Sequence, residues 1–186
     1  MPSRLDAGSL VDVSFRGVVQ GVRNHFGRVV ERAVALDSCP MAITLDNVGI
    51  AVRDIEAAIS FFTDLGLTVL GRHTVSGEWA DTAVGLDGNH AKIAVLETPD
   101  GHARLELFEY IHPAAIETEP TLPNEIGMHR VAFNVDDIDE AVATAARHGY
   151  HPLRGVATYG EIYKLTYLRG PSGILVMFAQ SLQPSD

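Results

Sequence analysis

An internal repeat constrains this chain more than any other feature. Residues 48–59 read Val-Gly-Ile-Ala-Val-Arg-Asp-Ile-Glu-Ala-Ala-Ile, residues 131–142 read Val-Ala-Phe-Asn-Val-Asp-Asp-Ile-Asp-Glu-Ala-Val, and five of the twelve positions are identical. The offset of 83 residues returns at Asp54 and Asp137 and again at Gly66 and Gly149. A register held that far beyond the matching residues argues duplication. In each copy Val48, Ile50 and Val52, or Val131, Phe133 and Val135, alternate with smaller residues, the period of a strand with one face on a core. Asp54 and Asp137 then read as helix N-caps. Ile55, Ala58, Ile59, Phe62 and Leu65 recur at helical spacing, matched by Ile138, Ala141, Val142 and Ala145, and Gly66 and Gly149 supply left-handed stops.

After the first helix, strands are expected at Leu67 to Thr74, His90 to Glu97 and Ala103 to Tyr110, with a turn at Pro99-Asp100-Gly101. In the second copy Tyr150 to Thr158, Ile162 to Leu168 and Ile174 to Gln180 fill the same slots. The fold class is therefore α+β, two tandem βαβββ modules. Gly66 to Pro99 spans 33 residues and Gly149 to Pro171 spans 22, so the first copy carries 11 more, around Gly77 to Asp87. Those residues hold the only tryptophan, Trp79. Trp79 either roofs a cavity from an inserted segment or fills core, and both readings stay open.

Residues 1–40 differ in kind. Five arginines stand against four acids, about +1, while the whole chain carries −10. Phe15, Val18, Val19, Val22, Phe26, Val29, Val30, Ala33 and Leu36 trace an amphipathic stripe, so an N-terminal helical extension is expected, packed on the body or on a partner. Alternatively Met41 is the start and the preceding residues are an appendage. The acidic balance argues against nucleic acid or an anionic membrane as partner. No apolar run approaches the roughly 18 residues of a membrane span. A lone Cys39 closes no disulfide within the chain, which points to the cytoplasm.

Together the paired modules, the stretch from Asp46 to Ile55, the Arg104-Leu105-Glu106-Leu107 strand and the Gly170-Pro171-Ser172-Gly173-Ile174 turn resemble the vicinal oxygen chelate superfamily, the group of glyoxalases, bleomycin-resistance proteins and extradiol dioxygenases. The resemblance covers residues 43–182: module one 43–111, a linker 112–124 and module two 125–182. It implies a cupped mixed sheet, a homodimer and a divalent metal held by His or Gln from each first strand and Glu from each last strand. Carried over residue by residue, those positions fall on Asn47, Arg130, Glu106 and Met177 or its neighbour Phe178. Only Glu106 matches. A guanidinium repels a cation and a thioether is a poor partner for a hard one, so no family-type metal or other cofactor is expected. If a divalent metal does bind, Glu106 and His129 are its candidates, although His129 shares strand parity with the helix-facing Val131, Phe133 and Val135.

The resemblance then allows two functions. In the first, the cup binds a small organic molecule, with Asn47, Arg130, Trp79, His90, Tyr110, Tyr163, Tyr167 and Met177 as lining candidates and Arg130 either anchoring an anionic group or pairing with Glu106. In the second the protein is an enzyme, a glyoxalase, epimerase or dioxygenase. Glu106 then serves as catalytic base on an enolisable carbonyl or as metal ligand.

Overall fold

The structure, a computed structural model, describes residues 44–183. The extension expected at residues 1–40, and Met41, lie outside the described residues. In module one the order is β1 (Val48–Ala51), α1 (Ile55–Asp64), β2 (Thr68–Ser76), α2 (Glu78–Val84), β3 (His90–Glu97) and β4 (Arg104–His112). Module two follows with β5 (Val131–Asn134), α3 (Ile138–Arg147), β6 (Ala157–Tyr159), β7 (Tyr163–Arg169) and β8 (Leu175–Ser181). Each builds one four-stranded sheet of the same plan, β1-β4-β3-β2 and β5-β8-β7-β6. The first strand of each lies parallel to the last, and the other pairings are antiparallel.

The helix ends follow the sequence. The Asp54 carboxylate accepts the Ala57 N–H at 2.9 Å, and that of Asp137 accepts those of Asp139 and Glu140 at 2.8 and 3.1 Å, satisfying amides that have no partner inside the helix. Beyond each C-terminus the chain turns through Gly66 at φ 101° and Gly149 at φ 80°, a region that a Cβ disfavours.

One face of α1 buries Ile55, Ala58, Ile59, Phe61 and Phe62, and α3 buries Ile138, Ala141, Thr144 and Ala145. The apolar members of both sets join Ala94, Leu96, Leu105, Leu107, Leu168, Val176 and Phe178 of the sheets in one core that belongs to both modules. Phe61 and Phe62 are fully buried within it, each contributing about 1.5–3 kcal/mol by removal from water. Phe61 meets Tyr150 edge-on at 5.0 Å and His148 at 5.6 Å, so a side chain of module one is packed by module two. His148 Nε2 lies 2.8 Å from Asp64 Oδ2, and the Arg53 N–H donates to Ser172 Oγ at 2.8 Å. Gly170 has no room for a side chain: a Cβ there would come within 3.0 Å of Val176 and 3.6 Å of Phe61.

The strand expected from Tyr150 to Thr158 shrinks to Ala157–Tyr159, preceded by a single bridge from Pro152 to Leu168. Pro152 lacks an N–H for a ladder and Gly155 sits at φ 132°, so the segment cannot run as a regular strand. The other expected strands form within two residues of their expected ends. Between the modules, Arg169 donates to the carbonyl oxygens of Thr121 and Gly173 at 2.8 and 3.0 Å, holding the linker against module two. No helix among the described residues is long and apolar enough to cross a membrane.

Candidate functional site

Each sheet turns one face to the helices, which leaves the opposite face free for a ligand. In module one the register aligns Gly49, Glu106, Val95 and Gly71 across the sheet, and beside them Ala51, Phe108, Ile93 and His73. These residues share the face opposite the helix. The inserted residues form α2, flanked by Gly77 at its N-cap and Gly85 at its C-cap, and Asp81 ties it back by accepting the N–H groups of Gly88 and Asn89 at 2.8 and 2.6 Å. Beneath α2 lies a cavity of about 290 Å³. Val75, Ala80, Ile93 and Phe108 give it apolar walls, and His73, Asn89, Glu106 and Tyr110 are its polar members. Phe108 and Tyr110 stack at 6.3 Å along one wall. Glu106 is half-buried there, and its carboxylate makes no hydrogen bond or ion pair among the described residues. Trp79 also lines the cavity, but it is 65% exposed, so the alternative in which it fills core does not hold.

The free face of module two is occupied differently. Arg130 Nε donates to Met177 Sδ at 3.1 Å, the guanidinium lies 5.4 Å from the Tyr167 ring centroid, and Nη1 is 2.6 Å from His129 Nδ1. His129 itself meets Tyr167 edge-on at 5.8 Å. The parity argument that turned His129 toward the helices therefore fails. Strand β5 begins at Val131, and residues before it are not bound by strand alternation. Arg130 is engaged within module two and has no contact with Glu106 among the described residues. Tyr163 and Tyr167 share the Met177 face by register.

A larger groove, about 930 Å³, runs between the modules and takes in Asn47, Arg130 and Phe133. Asn47 Nδ2 donates to Asp46 Oδ2 at 2.9 Å. Thus Glu106, Trp79 and Tyr110 come together beneath α2, Asn47 and Arg130 line the groove, and Met177, Tyr163 and Tyr167 lie on the second sheet. His90 lines neither space and pairs in register with Ser76 and His112.

The family model of the Glyoxalase/Bleomycin resistance protein/Dioxygenase superfamily matches residues 44–178. The chain belongs to this superfamily. A glyoxalase family protein from Bacillus cereus is 39% identical, with a TM-score of 0.75 over 78% of this chain and 99% of that one. A glyoxalase family protein from Enterococcus faecalis, 20% identical, shares the fold with a TM-score of 0.53 over 73% of this chain and 96% of its own. A 2-epi-5-epi-valiolone epimerase from an Actinomyces species is 32% identical over 108 residues, 55% of this chain. The match spans 57% of that enzyme's length.

The donor set departs from the one that the family resemblance implies. The four carried-over positions supply one carboxylate, one amide, one thioether and one guanidinium, which do not fit a hard divalent cation. Among the described residues no three His, Cys, Asp or Glu side chains converge as a metal site. Sequence reasoning missed His73 and Asn89. A register shift between Val69 and Gly71 in β2 breaks the alternation by which His73 could have been counted onto the free face, and Asn89 is brought in only by the fold of α2. Phe108 was legible, since it has the parity of Glu106 and Tyr110.

Proposed function

We propose that this superfamily member binds a small organic molecule in the cavity beneath α2, without the superfamily's full metal site. The observation that carries the reading is the cavity itself. It joins an apolar wall of Ile93, Phe108 and Val75 to a half-buried carboxylate that has no partner among the described residues. Small-molecule sites have this composition, mostly apolar with a few polar groups that set orientation. Glu106 then either accepts a hydrogen bond from the ligand or takes a proton from it. The second role suits an epimerase or isomerase acting beside a carbonyl, and the epimerase relative favours it over dioxygenase chemistry.

Metal analysis of the purified protein, followed by a thermal-shift screen of neutral aromatic and hydroxylated carbonyl compounds, tests the reading. The expected result is substoichiometric metal and a rise in Tm with selected compounds, because ligand held by the native state stabilises it. Loss of the shift in Glu106→Ala is expected where the ligand contacts the carboxylate. One divalent ion per chain, released by Glu106→Ala, overturns the metal-free reading.

A further inference from the structure

Asn89 stands between α2 and the start of β3 and is 2% exposed. Its backbone N–H is satisfied by Asp81, but its side-chain oxygen is buried and has no hydrogen-bond partner, the only such side-chain atom among the described residues. Buried polar groups are ordinarily paired, because leaving one unpaired forfeits its hydration with no return. Leucine has the same branched heavy-atom skeleton and would carry no unpaired polar atom. Packing therefore does not explain the amide. Asn89 lines the cavity beneath α2 together with Glu106, whose carboxylate is likewise an acceptor with no partner among the described residues.

We infer that Asn89 is a specificity-determining residue whose side-chain oxygen accepts a hydrogen bond from a hydroxyl or N–H of the ligand. The inference rests on the cavity being a small-molecule site. Two acceptors in one lining call for a ligand that donates, His73 and Tyr110 of the same lining can donate to it in turn, and the Glu106 carboxylate disfavours an anion. The volume suits one ring with its substituents, since a dry cavity of about 150 Å³ holds benzene. The ligand class is thus an uncharged, ring-sized molecule carrying hydroxyl or amide N–H donors.

Phenol, toluene and anisole separate these requirements, since all three present an aromatic ring but only phenol donates. Each is titrated to its solubility limit into the full chain, with the methyl resonances of Ala80, Ala91 and Ile93 followed by NMR. Phenol is expected to bind about tenfold more tightly than toluene or anisole, the effect of one hydrogen bond restored to a buried acceptor. Asn89→Leu should bring phenol and toluene level. Asn89→Ala removes the same acceptor with a smaller side chain and should likewise bring phenol and toluene level, and this arm decides the matter if Asn89→Leu does not fold. Equal binding of phenol and toluene to the wild type, or a phenol preference kept in the Asn89 variants, overturns the role of Asn89 and leaves the small-molecule site standing. If none of the three shifts those methyls, both readings fall.

Discussion

Modules one and two share a plan and differ in what they put on its free face. Matching the registers sets Glu106, Phe108 and Tyr110 of β4 against Met177, Ala179 and Ser181 of β8. The same matching sets Ala91, Ile93 and Val95 of β3 against Tyr163, Leu165 and Tyr167 of β7. Aromatic bulk thus sits on the last strand in module one and on the strand beside it in module two. Module one also carries α2 as a roof, whereas module two turns its own Arg130 and His129 onto Met177 and Tyr167. The helix-facing sides diverge far less. Glu109 Oε2 accepts the Ile55 N–H at 2.9 Å, and Gln180 Oε1 accepts the Ile138 N–H at 3.2 Å, the same contact made by a charged and a neutral side chain. Core packing restricts one face, and the other is left open to acquire a site.

The comparison breaks most severely at the shared core. Phe61→Ala should cost about 3–5 kcal/mol, because it removes a ring packed by both modules. Urea unfolding should still show one transition at a lower midpoint. Two transitions, with one midpoint unmoved, would mean that the modules are independent.

Removing the roof makes module one more like module two. Ser76 and His90 are paired in register, so residues 78–88 can be replaced by a short turn. Circular dichroism and cooperative unfolding should be retained, while affinity for ligands of the cavity beneath α2 should fall by about tenfold or more. Retained affinity would place the site elsewhere.

The two glycine stops test how alike the modules remain. Gly66→Ala and Gly149→Ala should each lose about 1 kcal/mol in chemical denaturation, since both sit at positive φ.

The smallest effect is expected from pH. Glu109 titrates below the ordinary glutamate range, first because Lys92 donates to it at 2.6 Å and then because of the Ile55 N–H. A carboxyl whose pKa is depressed in the native state adds stability above its unfolded value of about 4.3 and loses it as pH falls through the folded value. Glu109→Gln, which gives module one the cap of module two, should therefore lower Tm slightly at neutral pH and flatten its decline in acid. An unchanged acid limb would show that Lys92 contributes nothing there.

Much of the fold was legible because it is local. The repeat, the caps at Asp54 and Asp137 and the stops at Gly66 and Gly149 depend on residues a few positions apart, and each forms as read. The candidate site was legible only in part. Glu106, Phe108 and Tyr110 share a parity along one strand, but His129 lies before its strand and His73 near a register shift, where parity gives no direction. Pro152 and Gly155 interrupted a segment whose composition otherwise suggested a strand.

By itself the amino-acid sequence determined the module and its duplication, since these follow from residue identity and short-range spacing. Only the tertiary structure decided that α2 closes over one sheet, that Arg130 is held within module two and that Asn89 is buried beside Glu106. Those are contacts between segments distant in sequence, set by how the chain packs rather than by local preference.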